Sequence, residues 1–253
     1  MPKKIAQVTL FVVIALFLIG AFVIIYIAQK TFSVQEKYPL GAQPIISYVN
    51  DCLKEKSEEA VLQTGLQAGF YTMPDPFLIY DTEFIPYLYA NGQKKLLTDS
   101  IVEKEISDYI RDEIKECLAN INSFSNFNLS QSNYSVETKI DDGIVAIKLN
   151  YPLTVQKGDF TLGLDTFDYQ IESNLKGIIE ITNELLSEYE KNPGMFCITC
   201  FDNIMDNHPF MKVAAVPATS PTIYEDKYII FILEDEEYKI NGSNFVFRFI
   251  AEA

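Results

Sequence analysis

The distribution of apolar residues divides the chain into an apolar N-terminal segment and a longer part with mixed patterning. Residues 8–28 contain no charged side chain over 21 positions. A helix of that length extends roughly 31 Å, which matches the roughly 30 Å hydrocarbon core of a bilayer. A secretory signal has a shorter apolar region followed by small residues. The pattern therefore predicts that residues 1–30 form a basic leader and a single transmembrane helix.

Residues 31–43 are polar and are expected to form a stalk. They contain Pro39 and Gly41, and Pro44 follows them directly. From Pro44 the apolar residues recur at helical spacing, and proline suits the first turn of a helix. Residues 70–92 are rich in aromatic side chains and divided by prolines, which indicates short extended segments and turns. We therefore expect residues 44–133 to form a helical subdomain with an aromatic loop.

A second helix is predicted within this subdomain. Residues 100–103 read Ser-Ile-Val-Glu, a pattern typical of a capping box at a helix start. Apolar residues then fall on one face of the helix as far as Ile121. Residues 122–133 are rich in Ser and Asn and are expected to be a loop at a subdomain boundary.

From Tyr134 the apolar period changes toward two, which is typical of strands. Asp141-Asp142-Gly143 is a turn signal between two such runs and predicts a β-hairpin. Further strands are expected over residues 152–157, 160–172, 222–233 and 244–250, with a helix over residues 175–190 and a solvated hairpin tip at residues 234–237. Residues 134–253 thus form a predicted β-rich α+β subdomain. The expected fold class is α+β, with an N-terminal single transmembrane helix followed by an ectodomain of amphipathic helices and a largely antiparallel sheet.

The negative net charge of the chain limits the classes of partner that it can bind. The 253 residues include 35 acidic and 20 basic side chains, for a formal net charge of −15. Nucleic acid is therefore not an expected partner, since its binding needs a basic surface. Lys3 and Lys4 favour a cytoplasmic N-terminus under the positive-inside rule. The expected location is the cell membrane, which residues 8–28 would cross, with the acidic C-terminal part outside the cell.

The residues at the N-terminal junction carry a family resemblance. The sequence from Lys3-Lys4 through Ala6-Gln7 to the apolar run resembles the class III signal of archaeal type IV pilin-like precursors. This resemblance implies that a peptidase cuts between Ala6 and Gln7 and that the apolar segment stays on a surface-exposed, filament-forming protein. Ile5 stands where the family usually has a charged residue, and Phe11 where many pilins have Glu. The remainder resembles uncharacterised membrane-anchored archaeal proteins, which imply no activity.

Four cysteines are the clearest chemical signal, because an even number in an exported domain suggests disulfides. Four cysteines allow three pairings. We favour Cys52 with Cys117, since both lie on the apolar faces of predicted helices, and Cys197 with Cys200. If the domain were cytosolic, Cys52 and Cys117 would instead be buried free thiols.

Cys197 and Cys200 also allow two chemical interpretations. A Cys-x-x-Cys pair serves thiol–disulfide exchange when a helix N-terminus in a βαβ unit lowers the thiol pKa, and no βαβ pattern is visible here. A zinc site would need two further ligands, for which His208, Asp202 or Asp206 are the nearby donors. The alternative to a non-catalytic surface protein is therefore an extracytoplasmic thiol–disulfide oxidoreductase or a metal-dependent protein that uses this pair.

The remaining sequence shows no complete catalytic set, and it contains candidate glycosylation sites. His208 is the only histidine, so a Ser–His–Asp or Cys–His site would have to be built around it. Phosphate-binding glycine loops and dinucleotide fingerprints are absent from the sequence, and no cofactor is expected. N-glycosylation sequons begin at Asn128, Asn133 and Asn241. The expected function is adhesion, assembly or partner binding at the cell surface, through protein partners or self-assembly.

Overall fold

The structure is a computed structural model that describes residues 41–80, 82–191, 193, 204, 206, 208–217 and 228–252. These residues hold three α-helices, ten strands and one short 3₁₀ helix. The helices are α1 (Gln43–Leu66), α2 (Asp99–Ala119) and α3 (Leu175–Lys191), and the 3₁₀ helix (Asn120–Ser123) directly follows α2. The strands are β1 (Phe77–Tyr80), β2 (Glu83–Ala90), β3 (Gln93–Lys94), β4 (Asn128–Gln131), β5 (Ser135–Asp141), β6 (Ile144–Lys157), β7 (Phe160–Glu172), β8 (Met211–Pro217), β9 (Tyr228–Ile240) and β10 (Ser243–Glu252).

The first sheet combines strands from both ends of the described chain. Its order is β1-β2-β10-β9-β8, and the short strand β3 also pairs with β2. All its pairings are antiparallel except β2 with β10, which run parallel. A register shift lies between Ile250 and Ala251 in that parallel pair. The aromatic stretch around residue 80 is therefore joined to the end of the chain.

The second sheet is built around the long strand β6. Strand β7 pairs with β6 along nearly its whole length. On its other side, β6 pairs first with β5 and then with β4, so two short strands share one edge. Alternate residues of β6 from Val145 to Val155 are buried, which matches the two-residue period of a sheet with one packed face.

The helices pack on these sheets through a few identifiable contacts. In α1, Gly65 lies against the ring of Phe245 in β10. In α3, Tyr189 contacts both Tyr89 of β2 and Phe231 of β9 with edge-to-face ring geometry. Phe231 stacks in turn on Phe249 of β10, with ring centroids 4.8 Å apart. These aromatic contacts place a continuous core between α3 and the first sheet.

The expected fold class is wrong for the described residues. None of their helices is both long and apolar enough to cross a membrane, and strands make up most of the regular structure. The two β-sheets replace the predicted helical part followed by a single sheet, because the aromatic stretch contributes β1, β2 and β3, of which β2 pairs with β10. The segment predicted to span the membrane, residues 8–28, lies outside the described residues.

Two local predictions are also wrong. Helix α2 is capped by Thr98, whose Oγ1 accepts a hydrogen bond from the Ile101 N–H at 3.3 Å, and not by Ser100. The acidic run at residues 234–237 is not a solvated tip, because it lies inside β9 and Asp235 is fully buried. By contrast, the hairpin at Asp141-Asp142-Gly143 and the helix at residues 175–190 are confirmed by β5–β6 and α3.

Candidate functional site: a polar cleft beside the second helix

The structure joins Cys52 of α1 and Cys117 of α2 by a disulfide, with the two Cα atoms 6.2 Å apart. Tyr48 supports the same helix contact, because its hydroxyl donates to the backbone oxygen of Cys117 at 2.9 Å. Its ring also packs edge-to-face on Phe124. The first two helices are therefore held together by a covalent bond inside an aromatic and hydrogen-bonded contact.

Several residues singled out from the sequence lie outside the described part of the chain. These are Cys197 and Cys200, with the neighbouring Asp202, and the processing pair Ala6 and Gln7. His208 is described and half-buried, and its carbonyl oxygen accepts a hydrogen bond from the Met211 N–H. In the described residues, no group of three or more His, Cys, Asp or Glu side chains is placed to hold a metal ion.

The three sequon asparagines are all exposed. Asn128 lies in β4, with its amide 3.3 Å from the side-chain oxygen of Gln156. Asn241 has a positive φ of 51° in the turn between β9 and β10. Asn133 lies in the connection between β4 and β5, where it lines a cleft that no sequence pattern had indicated.

This cleft arises from a break in the edge of the second sheet. Strand β6 changes register between Asn150 and Leu153, and at this place its edge partner changes from β5 to β4. The connection at residues 132–134 passes outside this point and is attached by a hydrogen bond from the Ser132 N–H to the Pro152 oxygen. Irregularities of this kind commonly occur beside functional sites, because they redirect side chains. Here the connection and the second half of α2 both line the cleft.

The cleft has a volume of about 840 Å³ and a polar, aromatic lining. The Tyr151 hydroxyl donates to Oε1 of Gln131, and the Tyr134 hydroxyl donates to the backbone oxygen of Arg111 at 2.9 Å. The two tyrosine rings meet edge-to-face with centroids 6.2 Å apart. The two phenols therefore link the sheet, the connection and the helix through hydrogen bonds beside the cleft.

Both phenols are neutral at physiological pH. Burial raises the pKa of Tyr134, an effect that Lys115 opposes and Asp112 reinforces. Burial, followed by the nearby Tyr134, raises the pKa of Tyr151 above its ordinary value. Each phenol thus keeps its proton and presents a hydroxyl that both donates and accepts.

The helical wall carries alternating charges. Arg111 lies 2.6 Å from Asp108, and Lys115 lies 3.1 Å from Asp112. The hydrogen bond to Asp112 raises the pKa of Lys115. For Asp108, burial raises the pKa, but hydrogen bonds and charges from Lys104 and Arg111 outweigh it and hold the pKa below its ordinary value. The cleft therefore presents paired charges and not a net positive field.

The lining of the cleft consists of polar, aromatic and charged side chains. Phenol hydroxyls, side-chain amides and charged groups that are already paired can hold a polar molecule in a fixed orientation. Apart from the sequon at Asn133, the sequence offered no signal for this site, because its residues come from a helix, a connection and two strands whose contact depends on tertiary folding. Comparison of the chain with known protein families, with curated proteins and with solved structures finds no match.

Proposed function

We propose that the protein acts outside the cytoplasm as a non-catalytic surface protein that binds a partner or assembles, held at the membrane by its apolar N-terminal segment. The observation that carries this proposal is the Cys52–Cys117 disulfide. Disulfides persist in oxidising compartments and are rare in the cytosol of mesophiles. A structural bond between two packed helices is consistent with an exported domain.

The stabilisation expected from this bond supports a structural role. The two cysteines are 65 residues apart in sequence. In the chain-entropy model, closing a loop of this length stabilises the folded state by about 4 kcal/mol. That is a large fraction of the about 5–15 kcal/mol by which a typical domain is stable.

Surface features are consistent with the same location. The exposed sequon asparagines are accessible for the modification that exported proteins receive. Residues 31–253 carry all 35 acidic side chains and 17 of the 20 basic ones. The resulting negative charge keeps a domain soluble beside an anionic membrane and repels it from that surface. Pilin-type processing between Ala6 and Gln7 is part of this proposal.

The proposal is tested by intact mass of protein extracted from membranes of the native host. One sample is denatured and alkylated without reductant, and a second sample is reduced before alkylation. Peptide mapping then locates each modified cysteine. We expect Cys52 and Cys117 to be alkylated only after reduction. Alkylation of both thiols without reduction would contradict an oxidising location.

The same spectra test processing. A mass that begins at Gln7 supports the pilin-like role, whereas a mass that begins at Met1 removes processing from the proposal. A variant with Cys52→Ser and Cys117→Ser serves as the control, because it shows which mass shifts belong to the remaining two cysteines. If the protein appears in the soluble fraction of the host and not with the membranes, the proposed attachment is wrong.

A further inference from the structure

We propose that the cleft between α2 and the β4–β5 connection binds a neutral oligosaccharide, with Gln131, Asn133 and Tyr134 as its main contacts. This inference rests on the proposed binding role and names the class of ligand for it. The cleft is lined by these residues together with Arg111, Lys115 and Tyr151. Its volume of about 840 Å³ lies within the range of about 300–1,000 Å³ that is usual for small-molecule sites.

The lining supplies the two kinds of contact that a sugar needs. A sugar ring has an apolar C–H surface and a dense set of hydroxyl groups. Tyrosine provides both an apolar ring and a polar group, and such amphipathic rings are favoured at binding surfaces. Tyr134 is half-buried, so part of its ring remains accessible in the cleft.

Two amides provide the hydrogen-bonding groups. Because Gln131 accepts the Tyr151 hydroxyl at Oε1, its Nε2 is oriented away from that bond and can donate to a ligand. The side-chain amide of Asn133 has no partner within the described part of the chain, and the residue is exposed. Planar amides can donate to one hydroxyl and accept from the next, which matches the neighbouring hydroxyls of a sugar.

Charge favours a neutral ligand over an anion. Arg111 and Lys115 are each paired with an aspartate of the same helix, at 2.6 Å and 3.1 Å. An anion would have to compete with Asp108 and Asp112 for these cations. A neutral, hydroxyl-rich ligand instead uses the unpaired hydrogen-bonding capacity of the cations and leaves the ion pairs in place. The ion pairs and the Tyr134 bond to Arg111 also fix the wall before binding, which lowers the entropy cost.

The oligosaccharide has two possible sources with the same chemistry. It can be a separate glycan, or the glycan attached to Asn133 itself, because this sequon residue lines the cleft. Ser135→Ala separates the sources, since it destroys the sequon while leaving the Asn133 amide in place. Enzymatic mapping of glycopeptides shows whether Asn133 carries a sugar in the wild-type protein.

The experiment uses full-length protein in a detergent without a sugar headgroup. Binding is measured to immobilised neutral oligomers of hexose and N-acetylhexosamine, with uronic-acid oligomers as the acidic comparison. We expect the wild-type protein, or the Ser135→Ala protein if Asn133 is glycosylated, to bind a neutral oligomer. Gln131→Ala combined with Asn133→Ala should weaken this binding at least tenfold. Gln170→Ala, which replaces an exposed glutamine on β7, is the matched control and should leave it unchanged.

Three results would overturn the inference: no oligosaccharide binds either protein, the double variant binds as well as its parent, or only acidic oligomers bind with an affinity that falls as salt is added. Thermal unfolding of each variant shows that it is folded, so lost binding is not lost structure. A negative result here leaves the disulfide and location measurements unaffected. Failure of the sugar site is thus distinguishable from failure of the proposed function.

Discussion

Asp235 illustrates how a charged residue can hold elements together from inside the protein. Its side chain is fully buried in β9. One carboxylate oxygen accepts hydrogen bonds from the Glu237 and Tyr238 N–H groups at 2.9 and 3.3 Å, and the other accepts from the Asn174 N–H at 3.3 Å, just before α3. The strand also has a register shift here, between Asn244 and Phe245 of its partner β10. Asp235 thus satisfies backbone groups that an irregular strand leaves unpaired.

Asp235→Ala should lower the free energy of unfolding by about 2–3 kcal/mol, since it leaves buried N–H groups without an acceptor for a charge-assisted bond. Chemical denaturation monitored by circular dichroism measures this change. Asp168→Ala, which removes an exposed aspartate of β7, is the control and should change stability by at most about 0.5 kcal/mol. Equal effects of the two substitutions would show that the buried contacts do not contribute.

The acidic run around Asp235 also shows that a local residue pattern does not reveal tertiary contacts. Four consecutive acids are most often solvated, so the run predicts a surface turn. Burial of one member depends on the register shift in the adjoining strand β10 and on the residue before α3, Asn174, which is 61 positions away in sequence. The four-residue pattern contains neither of these contacts. The prediction of a solvated tip was therefore wrong, because the contacts that bury Asp235 form only in the folded protein.

At the scale of elements, the contact between α1 and β10 depends on one glycine. A Cβ at position 65 would lie 2.5 Å from Cε2 of Phe245 and 2.7 Å from the backbone oxygen of Val246. Both separations are shorter than van der Waals contact, and the Val246 oxygen belongs to the backbone, which cannot easily move aside. Gly65 therefore allows the helix to approach the strand closely, and this approach places Phe245 in the core.

Gly65→Ala should destabilise the protein by about 1–3 kcal/mol through overpacking, although alanine favours a helix by about 1 kcal/mol over glycine. The midpoint of urea unfolding measures the effect. Gly163→Ala in β7 is the matched control, because the space that its methyl group would enter is open to 4 Å among the described residues, and we expect no loss of stability. An unchanged or higher midpoint for Gly65→Ala would show that the helix can move aside at no cost.

Helix α2 connects several segments through its acidic side chains. Glu105 accepts hydrogen bonds from the Tyr71 and Thr72 N–H groups at 3.0 and 2.8 Å. Glu103 accepts from the Ile140 N–H at 3.0 Å and forms an ion pair with Lys139. The glutamate expected to close a capping box thus attaches β5 to the helix. Capping is instead provided by Thr98, two residues before the predicted start.

At the scale of the whole molecule, the parallel pair of β2 and β10 joins the early and late parts of the chain. Tyr87 pairs with Ile250 and Tyr89 with Ala251. Arg248 of β10 also reaches Glu83 of β2 at 2.5 Å. These contacts join residues near position 85 to residues near position 250. The first sheet is therefore complete only when both ends of residues 45–252 are present.

A fragment of residues 31–253 should therefore fold and remain soluble without the apolar N-terminal segment. Its helices and sheets bury their own apolar faces, beginning with Ile45 in α1. Far-ultraviolet circular dichroism and analytical ultracentrifugation of the oxidised fragment measure folding and association. A fragment that is unfolded or aggregated would mean that residues 1–30 contribute to the structure of the rest. A second truncation that also removes β10 is the control and should not fold.

Local patterns determined several elements. The Asp-Gly turn places the β5–β6 hairpin, because glycine accepts the positive φ of 74° at Gly143. The 3.6-residue period of apolar side chains identifies α3, and the even cysteine count indicates disulfides. The turn and the helical period each depend on residues close together in sequence, and the cysteine count needs no structure. All three can therefore be recognised without knowing which elements come into contact.

Tertiary structure decided which elements meet. The pairing of Cys52 with Cys117, the burial of Asp235 and the parallel pair of β2 and β10 each join residues far apart in sequence. The cleft beside α2 exists because the edge of β6 changes partner from β5 to β4 opposite the helix. Its lining residues belong to no common motif. Their chemistry becomes a site only when sheet and helix pack together, since packing sets the distances that binding requires.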